Sequence, residues 1–66
     1  MDKERLINYE GRYLDVGIWN NKEERKIFYH RGKLIGIYND CIEMELDKGT
    51  TIFLSYNTIL SVEVVG

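Results

Sequence analysis

The chain has no proline, one cysteine and one histidine in its 66 residues, and it contains no long apolar run. A single cysteine, Cys41, excludes an internal disulfide and a cysteine-based zinc site. No segment approaches the roughly 18 to 20 apolar residues needed to cross a bilayer as a helix. The opening MDKERLINYE lacks the apolar centre of a secretory signal, so a cytoplasmic location is expected. Charge of one sign is also lacking. Nine basic residues stand against eleven acidic ones for a net charge of -2, and residues 27–66 carry only three basic residues against five acidic. Non-specific duplex binding scales with the number of phosphates neutralised, which this composition does not supply. With no proline, low-complexity tract or repeat there is no linker, and a chain of this length forms one domain, 1–66, burying only about 60% of its unfolded surface.

What is present is alternation. Asp2 is placed to cap a short helix over 2–10, with Leu6, Ile7 and Tyr9 on one side, and Gly11 ends it. From Arg12 the period becomes two: Leu14, Val16 and Ile18 share one face, and Tyr13, Asp15, Gly17 and Trp19 share the other. The polar segment NNKEERK, 20–26, reads as a solvated turn. Residues 27–38, IFYHRGKLIGIY, form a strand too long to stay straight in so small a domain. Phe28, His30, Gly32 and Leu34 share a phase, and Ile35 and Ile37 fall in the opposite one, so the phase slips near Gly36. A glycine there lets the strand bend, and Gly32 lets a neighbouring backbone or aromatic ring come close.

Asn39 and Asp40 make a tight turn into CIEMEL, with Ile42, Met44 and Leu46 inward and Glu43 and Glu45 outward. The DKG segment, 47–49, makes the next hairpin, and TTIFLSY follows with Ile52 and Leu54 inward. YNT, 56–58, is a one-turn connector, and ILSVEVV is the last strand, through Ile59, Val62 and Val64. The expected fold is all-β: a five-stranded, strongly bent small barrel over 12–66 behind a short N-terminal α-helix.

The order of the short helix, GRYLDV, GKLIGIY, CIEMEL, the DKG hairpin, TTIFLSY, YNT and ILSVEV resembles the Sm-like family of small barrels across nearly the whole chain. It is also similar to the C-terminal Sm-like domain of the ribosome maturation factors, where an opening glycine-to-valine strand, a charged insertion and a second glycine-rich strand occur at similar spacing. The resemblance implies a non-enzymatic, homo-oligomeric ring that engages single-stranded RNA, and no cofactor. In Sm rings the fourth strand of one subunit pairs with the fifth of the next. Here that implies an interface from Ile52, Phe53, Leu54, Leu60, Val62 and Val64. Tyr56 and Asn57 occupy the connector at which Sm relatives hold bases, and Asn39 and Asp40 fall in the loop after the bent strand. Tyr56 either stacks on a base or caps the barrel. Lys33, with Arg12 and Arg31, offers a few phosphate contacts, and Trp19 offers a stacking surface, a peptide anchor or a lid.

The departures are specific. Where uridine-binding Sm proteins have an Arg-Gly pair before the last strand, this chain reads SYNTI. His30 and Cys41 complete no nucleophilic arrangement, and the outward carboxylates Glu43, Glu45 and Glu63 read as solvated strand faces more readily than as a cation site. The rival to RNA binding is a protein-interaction module of SH3-like type, using the same edges without nucleic acid.

Overall fold

The computed structural model describes residues 1–21 and 26–65. Helix α1, Lys3–Leu6, runs into a 3-10 turn at Ile7–Tyr9. Strands β1 (Tyr13–Asn21), β2 (Lys26–Ile37), β3 (Cys41–Leu46) and β4 (Thr51–Ser55) follow, then a 3-10 connector, Tyr56–Thr58, and strand β5 (Ile59–Val64). The expected turn over 20–26 lies partly outside the described residues, and Asn20, Asn21 and Lys26 extend the strands on either side of it.

All five strands form one antiparallel sheet in the order β4-β3-β2-β1-β5. The described ladders do not join β4 to β5, so the five strands form one sheet that is open at that seam, and the ladders do not close the small barrel that the sequence suggests. The connector turns the chain from β4 straight into β5, which pairs with β1 on the far side. Both outer strands keep an unpaired edge within the described chain.

Alternation decides which side chains are buried. Leu14, Val16, Leu34, Ile42 and Met44 are fully buried on the inner face, with Leu54 and Ile59 nearly so. Leu6 of α1, also fully buried, covers this face. Burying one such leucine contributes roughly 1.5–3 kcal/mol, so the helix is held by packing. Asp2 stands at the N-cap without a side-chain capping bond, and Ile7 is 52% exposed, so only Leu6 and Tyr9 of the expected apolar side reach the core. Gly11 ends the helical segment with φ +85°, and its amide donates to the Leu34 carbonyl.

The slip expected in β2 is a register shift between Leu34 and Gly36: Leu34 pairs with Met44, but Gly36 pairs with Glu43. Ile35 is the extra residue, and it is exposed. A second shift, between Gly17 and Ile18, leaves Leu60 without a partner between Ser61 and Ile59.

Candidate nucleic-acid and protein interface

The connector and the β2–β3 turn meet at one end of the sheet. The Tyr56 amide donates to the Asp40 carbonyl at 3.3 Å, and the Tyr56 hydroxyl donates to the Tyr38 carbonyl at 2.6 Å. The α-amino nitrogen of Met1 donates to the carbonyls of Tyr56 (2.9 Å) and Ile59 (3.3 Å), and Lys3 Nζ lies 3.4 Å from Asn39 Oδ1. Ser55 Oγ accepts from the Asn57 amide, closing the connector from within. Asn39, Asp40, Tyr56 and Asn57, far apart in sequence, are thus neighbours.

Of these four, Tyr56 is a core residue. It is 9% exposed, its hydroxyl is engaged, and burial pushes its phenol pKa up. Of the two roles open to it from sequence, the buried ring fits the cap. Asn39, Asp40 and Asn57 are exposed and form a polar rim of two amides and a carboxylate.

Lys33 and Trp19 lie elsewhere. Lys33 is on the outer face of β2 between Tyr13 and Glu45, its cross-strand partners. Trp19 has the outward phase at the opposite end of β2 from the rim, opposite Ile27, and is 41% exposed. Arg31 lies 3.4 Å from Asp15 Oδ2 in an exposed ion pair, with its side chain 56% exposed. His30 is half-buried opposite Val16. Glu63 on β5 pairs with Asp15 on β1, and β1 and β2 separate it from Glu43 and Glu45 on β3, so these three carboxylates do not meet. Among the described residues, no three His, Cys, Asp or Glu side chains gather to hold a metal ion, and no helix is long and apolar enough to cross a membrane.

At the strands expected to form an interface, Leu54 belongs to the core, and Ile52, Val62 and Val64 are half-buried against it. Phe53 and Leu60 remain, at 61% and 41% exposure, one on each edge strand.

The outer face carries a feature the alternation pattern did not single out. Gly36, Glu43 and Phe53 stand in one row across β2, β3 and β4. The ring of Tyr38 lies over Gly36, where a β-carbon would stand 2.8 Å from its hydroxyl. Tyr38 Oη donates to Glu43 Oε1 at 2.7 Å, and this bond raises the phenol pKa. The Tyr38 and Phe53 centroids are 6.1 Å apart with planes inclined by 43°. The sequence signal was the glycine two residues before a tyrosine at the phase slip, which puts that ring over bare backbone. No known protein family, curated protein or solved structure matches the chain.

Proposed function

We propose that this chain is an Sm-like binding module without catalytic activity. It assembles by pairing β4 of one copy with β5 of the next and presents the Asn39–Asp40 and Asn57 rim to single-stranded RNA. The observation that carries this reading is the sheet order: the two strands left at its edges are β4 and β5, the pair such a ring joins. Unpaired edges template further pairing, and a domain this small gains core by assembling. On this reading the bent sheet completes a small barrel, and each subunit hands its edge to a neighbour. The rim supplies amide donors and acceptors for base edges, and few cations are present for phosphates.

A second reading, a protein-interaction module that binds no nucleic acid, is favoured by the burial of Tyr56. With that ring in the core, the connector lacks the stacking surface that single-strand binding uses. Size-exclusion chromatography with light scattering, run with and without oligo-uridine, tests both. A multimer that takes up the oligomer, and loses it on Asn57→Ala, supports the first reading. A multimer indifferent to RNA at low salt supports the second. A monomer at high micromolar concentration removes the ring.

A further inference from the structure

The geometry points to a recognition site for an arginine side chain of a partner polypeptide on the outer face of the sheet, formed by Tyr38, Glu43 and Phe53. It does not depend on the RNA reading, because edge pairing uses backbone groups and leaves the face of the sheet open. The row across β2, β3 and β4 places the Glu43 carboxylate between two aromatic rings that are 46% and 61% exposed. Gly36 makes room for the first ring, and the Tyr38–Glu43 hydrogen bond of 2.7 Å holds ring and carboxylate together.

The chemistry of the three groups has one sign. An aromatic face carries the negative end of its quadrupole, and a cation within about 6 Å of the ring centroid is attracted to it. With the two centroids 6.1 Å apart, a cation seated over the gap lies within that reach of both. Glu43 adds a full negative charge at the same place, and Glu45 and Asp40 lie nearby on β3 and in the turn before it. Lys33, the cation nearest in register, stands opposite Glu45.

A phosphate is repelled by such a site, and an apolar side chain would bury the carboxylate charge with only the Tyr38 hydroxyl to answer it. A guanidinium satisfies both parts, because its plane stacks on a ring and its edge donates to a carboxylate. A net charge of -2 for the chain favours a basic partner as well.

The test is an NMR titration of the whole chain with a capped peptide of alternating arginine and serine. Matched peptides carry lysine or citrulline in place of arginine, and oligo-uridine is a separate arm. The expected result is selective shifts of Tyr38, Phe53 and Glu43 with the arginine peptide, weaker shifts with lysine, and none with citrulline, which keeps the shape but loses the charge. Glu43→Gln, which retains an acceptor for Tyr38, should weaken arginine binding about tenfold, the scale of a lost charge-assisted hydrogen bond. Phe53→Leu, at an exposed position, should weaken it severalfold, with amide shifts confined to the neighbours of residue 53 and the rest of the spectrum that of the folded chain. Equal binding of the citrulline peptide, shifts centred on Trp19 and Tyr29, or wild-type affinity in both variants would overturn the site. Shifts of the same two rings by oligo-uridine in place of the arginine peptide would assign them to base stacking and also overturn it.

Discussion

Gly32 of β2 packs its α-carbon against the backbone of Glu45 on β3. A β-carbon there would overlap the Glu45 carbonyl oxygen and stand 3.1 Å from the α-carbon of Leu46. Gly36 differs, because the atoms a β-carbon would meet belong to the movable ring of Tyr38. Gly32→Ala is therefore expected to cost about 1–3 kcal/mol, the scale of overpacking against atoms that cannot yield. Gly36→Ala should cost less, and its mark should be loss of the Tyr38–Glu43 bond. Urea unfolding of the two variants checks the order. A larger loss at Gly36 would show that the phase slip, and not the close approach at Gly32, controls the shape of β2.

Tyr13 reaches from β1 to the β3–β4 turn, where its hydroxyl donates to both oxygens of Asp47 at 2.6 and 2.8 Å. That hydrogen bond, chiefly, raises the Tyr13 phenol pKa, and the Glu43 bond does the same at Tyr38. A phenol raised in the folded state keeps its proton while the unfolded chain, with a pKa of about 10, gives it up. The stabilisation is whole below that pH and is lost as pH rises through the folded pKa. Thermal melts from neutral to strongly alkaline pH should therefore show a falling midpoint, and Tyr13→Phe should flatten the fall. An unchanged slope in Tyr13→Phe would remove this pair from the alkaline transition.

Tyr56 serves the fold at one end and, through Asp40 and Tyr38, fixes the rim at the other. Tyr56→Phe removes the hydroxyl that Tyr38 O accepts and should cost about 1 kcal/mol, or more if the carbonyl is left unpaired. The same variant should broaden the amide resonances of Asn39 and Asp40. Full stability together with an unaltered turn would show that the bond is incidental.

Val62 faces inward on an edge strand and packs against the core only in part. Val62→Lys should lower the assembled mass, because an ammonium that cannot stay against the core must extend past the strand toward water, across the edge that β4 of the next copy would join. Light scattering measures this directly, and circular dichroism shows whether the subunit remains folded. An unaltered mass in a folded variant would place the contact away from β5.

The element order was legible in the chain because a period of two, broken by turn residues, depends on local chemistry alone. Leu14, Val16, Ile42 and Leu54 had to lie on one face whatever the strands paired with. The slip near Gly36 was readable for the same reason, since a phase error is a property of one strand. Closure was not readable, because pairing of β4 with β5 depends on where the connector sends the chain. The site divided in the same way. Asn39, Asp40 and Asn57 were placed correctly at turns. The burial of Tyr56, the pairing of Arg31 with Asp15, and the row of Gly36, Glu43 and Phe53 all depend on register between strands. Local propensity sets which residues face in or out along each strand; only the tertiary ladder decides which outward residues stand side by side, and therefore what the surface can hold.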